Sequence, residues 1–287
     1  MNSSTVFLER KSIRHRSDVF EEFQLAKKCV YSLDRGRAIQ FILLTLETLE
    51  HYIIIRCHPI VADGESYRVL MADLEKAYDG QDLPPVYQYS KFGQSQREQA
   101  RGDKWAKELK FWREEFLVIP SPLPLIPSAK AQTRQPLNSY AIHSVDYKID
   151  STVSSRLRSL CRHNQVTPFH SHPTVFRAFL AHVTGLSDLC IGIAEANRPE
   201  ERLLGVSAIG PYVNILPLRF SSRSQQSFVS TLEDTSRKVY SALENAIVPL
   251  EVLLDEVRAP RSASYSPLFQ CFRVSVEFLV ASTRLVI

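Results

Sequence analysis

The sequence contains few cysteines, and none of them lies in a C-x-x-C pair. The five are Cys29, Cys57, Cys161, Cys190 and Cys271, an odd number at wide spacing. Structural zinc sites and disulfide frameworks depend on paired or regularly spaced cysteines, so this pattern argues against both. Unpaired thiols of this kind fit a reducing compartment best.

Long apolar runs and long basic runs are also missing. No apolar stretch reaches the roughly 18 residues that a membrane-spanning helix needs, and the N-terminal segment MNSSTVFLERKSIRHR lacks the apolar core of a signal peptide. The formal net charge of +4 is small for 287 residues, and the basic residues are scattered. The sequence therefore predicts a soluble, cytoplasmic protein whose partners are neither nucleic acid nor membrane.

The composition is that of a folded globular protein. Apolar residues make up 44% and charged residues 23% of the chain, which argues against disorder along its whole length. A chain of this length can bury one large core or two smaller ones. Neither internal repeats nor low-complexity tracts occur.

Hydrophobic periodicity predicts a mixed α/β fold. In the first part of the chain, two short β-branched runs at 38–47 and 51–58 predict strands joined by a tight connection. The spacing of apolar residues predicts helices at 17–31, 65–79 and 94–117.

A proline-rich segment follows. PSPLPLIP (120–127) holds four prolines in eight residues, and proline restricts both its own backbone and that of the preceding residue. We therefore predict an N-terminal lobe at 1–119, a linker at 120–138 and a C-terminal lobe at 139–287. In the C-terminal lobe the pattern predicts extended segments at 140–149, 189–194, 211–219 and 268–280, and helices at 151–163, 168–183, 226–246 and 249–257. Pro217 indicates that the third extended segment is an edge strand or contains a bulge.

The most informative stretch is RCHPIVADGES, residues 56–66. A buried strand ends at His58-Pro59, Asp63-Gly64 follow, and a helix begins. Polar groups at the end of a buried strand form a site on a rigid element. On spacing alone, a purely structural role is also open, with His58 packed at the strand end and Asp63 capping the helix.

This stretch resembles the HHxxxDG motif of condensation domains, with HPIVADG (58–64) matching at every constrained place but one. The second histidine of the motif is Pro59. Further segments resemble the family in the expected order. They are KFWREEFLVIPSPLPLIPSAKA (110–131), TPFHSHPTVFRAFLAHVTGLSDLCIGIAEANR (167–198), IGPYVNILPLR (209–219), VPLEVLLDEV (248–257) and RSASYSPLFQ (261–270). The chain is similar to condensation domains of fungal polyketide and nonribosomal peptide synthases over nearly its whole length.

The resemblance implies a fold and a function. The fold is the two-lobe, chloramphenicol-acetyltransferase-like architecture. The activity is transfer of an acyl or peptidyl group from one carrier protein to the amine, or hydroxyl, of a substrate on another, in secondary-metabolite biosynthesis. Both substrates hang on phosphopantetheine arms of the carriers, so neither a bound cofactor nor a metal is implied. The resemblance implies structural roles for Asp63 and Gly64 and places along the substrate tunnel for Asn214 and Gly210. A purely structural role for Asn214, in a turn or a strand ladder, is equally open, and Gly210 is expected to serve backbone geometry.

The first departure from the family lies at the ends. The two N-terminal motifs of the family are not found, and residues 281–287 carry no family text, so both lobes are expected to be incomplete. In the family, the N-terminal segment that is not found here supplies an arginine, and the resemblance implies that this arginine pairs with the aspartate at the position of Asp63. We therefore expect Asp63 to be underpaired, which is costly for a buried carboxylate.

The second departure is Pro59, which has no titratable group and cannot act as a base or orient a nucleophile. His58 is a weak candidate to replace the lost histidine, because adjacent strand residues point to opposite faces. The same alternation separates His58 from Cys57, which we interpret as a small core residue. His170 and His172, near the start of a later helix, are expected to pack or to lie in solvent.

Three interpretations stay open. The chain is a transferase fragment with weak or no activity, a non-catalytic module that binds a carrier protein or synthase, or the product of a defunct or wrongly bounded gene.

Overall fold

The computed structural model describes residues 7–47, 50–83, 88–136, 144–198, 208–221 and 226–274. Helices and strands both occur, as predicted, and the chain divides into two compact units. The first unit contains Met1–Gln96 and Arg198–Tyr212, and the second contains Arg97–Asn197 and Val213–Ile287. The lobe limits at 1–119, 120–138 and 139–287 stay a prediction.

Three strands and three helices are described in the first unit, the last helix running on past its boundary. They are β1 (Phe7–Ile13), α1 (Arg16–Lys27), β2 (Ile39–Leu46), β3 (His51–Cys57), α2 (Gly64–Tyr78) and α3 (Tyr89–Arg101). β1 is parallel to β2, and β2 is antiparallel to β3. The buried core of this sheet is formed by Ile13, Ile42, Leu44, Leu46 and Ile54.

β1 was not predicted, because its inward side chains are not an apolar stripe. Glu9 accepts a hydrogen bond from Gln40 at 2.8 Å, and Lys11 donates to Glu22 of α1 at 2.7 Å. These polar pairs take the place of the alternating apolar residues that usually indicate a strand. β2 and β3 are apolar and were predicted to within a residue or two.

The described part of the second unit contains five helices and three strands. They are α4 (Ala106–Glu115), α5 (Ser151–His163), α6 (Pro168–Thr184), β4 (Asp188–Glu195), β5 (Asn214–Ser221), α7 (Phe228–Glu244), α8 (Leu250–Glu256) and β6 (Phe272–Arg273). The strand order is β5-β4-β6, with β5 antiparallel and β6 parallel to β4. Pro217 lies in β5, at one end of this order, where a missing backbone donor is tolerated.

The apolar residues of β4 and β5 form the centre of the core in the second unit. Leu189, Ile191, Leu216 and Leu218 each have 0% exposure. Trp112 of α4 joins this core at 1% exposure and donates from its indole nitrogen to the carbonyl of Asn245 at 3.0 Å. Burial of large apolar side chains is the main stabilising contribution in such a core.

Three predicted elements are wrong in whole or in part. The helix predicted at 94–117 is two helices, α3 and α4, because Asp103 has a φ of 50° and a right-handed helix cannot continue through it. Residues 144–149 form no strand, and 140–143 lie outside the described residues. The strand predicted at 268–280 is described only as β6, after Leu268 with a φ of 62°, and 275–280 are outside the described residues.

His170 caps α6 from inside its first turn. Its side chain is buried at 3% exposure, and its Nδ1 accepts a hydrogen bond from the backbone N–H of Thr167 at 3.2 Å. The ring packs on Tyr240 with the centroids 4.9 Å apart. Burial lowers the pKa of His170. Because Nδ1 accepts, the neutral ring carries its proton on Nε2, and a second proton would break the cap.

We expect His170 and His172, both in α6, to make the free energy of unfolding depend on pH. Burial lowers the pKa of His170, and burial together with the Arg273 charge lowers the pKa of His172. The unfolded state, with histidine pKa values of about 6.5, therefore binds more protons at mildly acidic pH. The stabilisation is complete above about pH 6.5 and is lost as the pH falls through the folded-state values.

Urea unfolding followed by circular dichroism between about pH 5 and 7.5 checks this expectation. His170→Gln should flatten the pH profile relative to the wild type, and His170→Gln/His172→Gln should flatten it further. Identical slopes for all three proteins would contradict the assignment.

Candidate functional site

The motif segment joins β3 to α2 within the first unit. β3 ends at Cys57, and Asp63 is the N-cap of α2. The carboxylate of Asp63 accepts a hydrogen bond from the backbone N–H of Ser66 at 2.9 Å, and Ser66 Oγ accepts one from the Asp63 N–H at 3.3 Å. This reciprocal capping satisfies donors at the start of the helix. The structural role predicted for Asp63 is present in the geometry.

The expectation that Asp63 is underpaired is wrong. Arg198 Nη2 lies 2.9 Å from Asp63 Oδ1, and each side chain has 6% exposure. The other oxygen, Oδ2, accepts a hydrogen bond from the backbone N–H of Tyr212 at 2.9 Å. A buried carboxylate needs both a counter-charge and hydrogen bonds, and Asp63 has both. The arginine comes from a position 135 residues along the chain, so the local motif gave no indication of it.

Arg198 is itself held in place by the segment that follows it. Nη1 donates to the carbonyl of Ala208 at 2.8 Å, and the guanidinium lies 4.3 Å from the ring centroid of Tyr212. A guanidinium over an aromatic face gains a cation–π attraction. The cation is thereby fixed on the carboxylate that it neutralises.

Ser66 is a further residue of this site that the sequence reasoning missed, besides Arg198 and Tyr212. Its side chain has 1% exposure, and its hydroxyl accepts a hydrogen bond from the Gly210 N–H at 3.0 Å. The same oxygen lies 2.8 Å from Asp63 Oδ1 and 2.9 Å from the Gly210 carbonyl. The spacing of Ser66 three residues after the N-cap could have indicated the capping pair. It could not have indicated the contact with Gly210.

Gly210 is required by close packing. A Cβ at this position would fall within 2.9 Å of three atoms at the base of the Tyr89 side chain. Tyr89 also donates from its hydroxyl to the Pro211 carbonyl at 3.2 Å. Around Gly64, by contrast, a Cβ would meet no atom within 4 Å. The backbone role proposed for Gly210 therefore has a steric cause, whereas Gly64 has no such constraint.

His58 contacts Ala38, Ile60 and Tyr31, all in the first unit. Its backbone N–H donates to the Ala38 carbonyl at 2.8 Å, which continues the strand pairing by one residue. Its Nδ1 accepts a hydrogen bond from the Ile60 N–H at 3.1 Å, and its ring meets the Tyr31 ring edge-on at 5.4 Å. Pro59, at the position of the motif's second histidine, is exposed. Because Nδ1 is an acceptor, Nε2 carries the single proton of neutral His58.

Cys57 contacts a phenol rather than an imidazole. Its Sγ lies 2.8 Å from the hydroxyl oxygen of Tyr67 on α2. Burial, followed by the contact with Cys57, raises the pKa of Tyr67 above its usual value. A thiol acts as a nucleophile when a base or a positive charge lowers its pKa, and a neutral phenol supplies neither.

Asn214 has a complete structural role in the second unit. Its side chain has 8% exposure, and Nδ2 donates to the carbonyls of Ala246 at 2.8 Å and Val248 at 2.7 Å. Its Oδ1 accepts from the N–H groups of Leu250 at 3.1 Å and Ile215 at 2.9 Å. A carboxamide has two donor hydrogens and two acceptor lone pairs, so its capacity is used. The side chain fixes the turn between α7 and α8, and its place along a tunnel stays a prediction.

The described residues contain neither a candidate metal site nor a candidate membrane-spanning helix. Within this part of the chain, no group of three or more His, Cys, Asp or Glu side chains is placed to hold a metal ion. None of the helices that the structure describes is both long and apolar enough to cross a membrane.

Removing the buried cation should be strongly destabilising. Arg198→Met leaves the carboxylate of Asp63 buried without a counter-charge, and we expect a loss of about 3–5 kcal/mol in the free energy of unfolding. Arg68→Met is the matched control, because the Arg68–Glu65 pair is 62% and 42% exposed and should cost at most about 1 kcal/mol. Equal losses in urea denaturation would refute the role assigned to Arg198.

The two motif glycines should respond differently to a methyl group. Gly210→Ala forces the base of Tyr89 to move, and we expect a loss of about 1–3 kcal/mol. Gly64→Ala adds a methyl group in open space at the start of α2, so its effect should stay within about 0.5 kcal/mol. Thermal and urea unfolding of both variants measure the difference, and a neutral Gly210→Ala would contradict the packing argument.

Comparison with known proteins places this geometry in a family. The family model described as Condensation domain matches residues 4–279. The chain is 39% identical over 272 residues to the hybrid PKS-NRPS synthetase pydA of Acremonium sp, and 37% identical over 282 residues to gkaA of Penicillium citrinum. These alignments cover 94% and 98% of this chain but only 6% and 7% of the relatives.

Solved structures agree with this assignment. The condensation domain from the Monacolin K polyketide synthase MokA matches with a TM-score of 0.82 at 25% identity, over 92% of this chain and 62% of that chain. The X-domain from teicoplanin biosynthesis has the same fold, with a TM-score of 0.83 at 20% identity over 95% of this chain and 62% of that chain. The predicted chloramphenicol-acetyltransferase-like fold is confirmed, and the chain belongs to the condensation-domain family.

Proposed function

We propose that this chain is a condensation-type acyl or peptidyl transferase module of secondary-metabolite biosynthesis whose activity is impaired at Pro59. The reaction joins two carrier-bound substrates through an amide, or an ester where the acceptor is a hydroxyl. Membership of the condensation-domain family supports the reaction class, as do the hybrid PKS-NRPS synthetases among the relatives. The proline at the position of the motif's second histidine supports the proposed impairment of activity.

The observation that carries the proposal is an intact motif scaffold around an unreactive position. Asp63 is capped, paired with Arg198 and bonded to Tyr212, as a working motif would require. Position 59 nevertheless holds a proline, which can neither accept a proton nor donate one. In this chain, therefore, the structural residues of the motif are present and its reactive imidazole is absent.

The chemistry defines what the missing group would do. The acceptor nitrogen attacks the thioester carbonyl, a C–N bond forms, and the C–S bond breaks to release the donor carrier's pantetheine thiol. A proton leaves the amine and one is taken up by the thiolate. A base at position 59 would accept or direct that proton, whereas His58 is bonded to Ile60 and packed on Tyr31. We therefore assign His58 a structural role.

Residual transfer is consistent with this assignment. Holding an amine beside a thioester can contribute roughly 7–11 kcal/mol, whereas general-base help typically contributes about 10²–10⁴-fold in rate. A chain that binds both arms but lacks the base would then be slow rather than inert. The donors and acceptors are phosphopantetheine arms of carrier proteins, so carriers are the proposed partners, and Asn214 and Gly210 keep their proposed places along the substrate path.

Acyl transfer from a pantetheine thioester to an amine tests the proposal. Pro59→His should raise the rate by about 10²–10⁴-fold over the natural chain, because it restores a base at the motif position. Pro59→Ala is the matched control, since it removes the ring without supplying a base, and it should stay at the natural rate. Product is measured by mass spectrometry, with amide formation counted separately from hydrolysis.

The other outcomes have distinct meanings. A natural chain as fast as Pro59→His would refute the impairment at position 59. Activation by Pro59→Ala would show that the proline ring, rather than the absent imidazole, limits the rate. If neither variant transfers, the transferase proposal fails, and a non-catalytic module that binds carriers becomes the better account of an intact scaffold.

A further inference from the structure

Helix α5 presents an exposed cationic surface. Its thirteen residues, STVSSRLRSLCRH, contain three arginines and a histidine but no aspartate or glutamate. Arg156, Arg158, Arg162 and His163 are all exposed, whereas Cys161 is buried at 1% exposure. The helix therefore packs through one side and exposes its cations on the other.

The arrangement of these cations follows from helical geometry. Arg158 and Arg162 are one turn apart, and Arg156 and His163 are two turns apart, so they form two rows along the helix. Ser159 lies between the rows and is exposed. We call the exposed side formed by Arg156, Arg158, Ser159, Arg162 and His163 the α5 surface.

No carboxylate neutralises the α5 surface within the described residues. None of its three arginines forms an ion pair there, unlike Arg177, Arg198 or Arg219. Asp150, the acid that immediately precedes the helix, is already engaged, because it accepts a hydrogen bond from the Thr152 N–H at 2.7 Å. Helix α6, which packs against α5, also contains no acidic residue.

The unneutralised arginines of α5 lower the stability of the helix, and no contact within the described residues compensates for this loss. Like charges one turn apart destabilise a helix by a few tenths of a kcal/mol, and Arg158 and Arg162 are such a pair. Carboxylates of a bound partner would turn that repulsion into attraction. Arginine is also the cation best suited to bidentate contacts with carboxylates across an interface.

The chemistry of the surface favours a protein over a membrane or a nucleic acid. Leu157 and Leu160 are partly buried, and Val153, at 55% exposure, is the one exposed large apolar side chain among the thirteen described residues of α5. The helix therefore offers little apolar surface to insert among lipids. The cations are confined to a short helix in a chain of net charge only +4, without an extended basic stripe for a phosphate backbone.

We propose that the α5 surface is the docking site for an acidic face of a carrier protein. This inference rests on the proposed function, which requires carriers to dock. It adds the surface that meets the carrier and the charge that the carrier presents there. Electrostatic contacts of this kind act mainly on the association rate and its salt dependence.

A binding experiment tests the inference without relying on catalysis. The probe is a fluorescently labelled, phosphopantetheinylated carrier domain of net negative charge, titrated with the full chain at low and high salt. Arg156→Glu/Arg158→Glu/Arg162→Glu should weaken binding by about tenfold or more and reduce its salt dependence. Lys104→Glu/Lys107→Glu/Lys110→Glu changes the net charge equally at exposed positions on and before α4, and it should bind like the wild type. Circular dichroism confirms that both triple variants are folded.

Each remaining outcome decides against a different statement. If the carrier binds equally to the wild type and the α5 variant, the α5 surface is not its docking site, and the proposed function is unaffected. If the carrier binds to neither while transfer from free pantetheine substrates succeeds, carrier docking is refuted and the reaction class survives. Binding of anionic vesicles or single-stranded RNA, but not the carrier, through the same arginines would overturn the choice of partner.

Discussion

The buried pair between Asp63 and Arg198 holds the motif segment together. Moving two charges out of water is costly, and the cost is offset only when further hydrogen bonds complete the geometry. Here the carboxylate also receives the N–H groups of Ser66 and Tyr212, and the guanidinium also donates to Ala208. The pair joins the start of α2 to a segment more than a hundred residues away, and the contacts of Ser66, Gly210 and Tyr212 surround it.

The backbone hydrogen bonds around position 59 explain how a proline can occupy the motif without breaking it. The backbone N–H groups on either side of position 59 are the ones that are used, from His58 to Ala38 and from Ile60 to His58. Proline lacks an N–H and favours an extended residue before it, and a strand end meets that preference. The hydrogen bonds of this segment thus involve the residues on either side of position 59, and the buried ion pair involves Asp63. A substitution at position 59 can therefore leave these contacts intact, and the proposed impairment at Pro59 requires such a separation.

Sequence reasoning found the local half of this site and missed the distant half. The runs of β2 and β3 and the capping spacing at Asp63 are short-range patterns, and they were predicted correctly. The pairing of Asp63 with Arg198 and the packing of Gly210 on Tyr89 join residues far apart in the chain. No periodicity encodes such contacts, so the family resemblance led to an underpaired Asp63. The strand β1 was not predicted for a related reason, because its side chains pair with polar side chains on other elements.

Asn214 is the residue for which the sequence left a structural role and a place along the substrate path equally open. Its text match suggested a residue along the substrate path, yet its carboxamide is bonded to four backbone groups of the second unit. These bonds account for the structural role, and a place for Asn214 along the substrate path stays a proposal. By the same logic, the exposed arginines of α5, which satisfy no internal partner among the described residues, are better evidence of an external contact than a buried, saturated amide is. Unused charge capacity at the surface, rather than a motif match, is therefore the observation on which the proposed carrier contact at α5 rests.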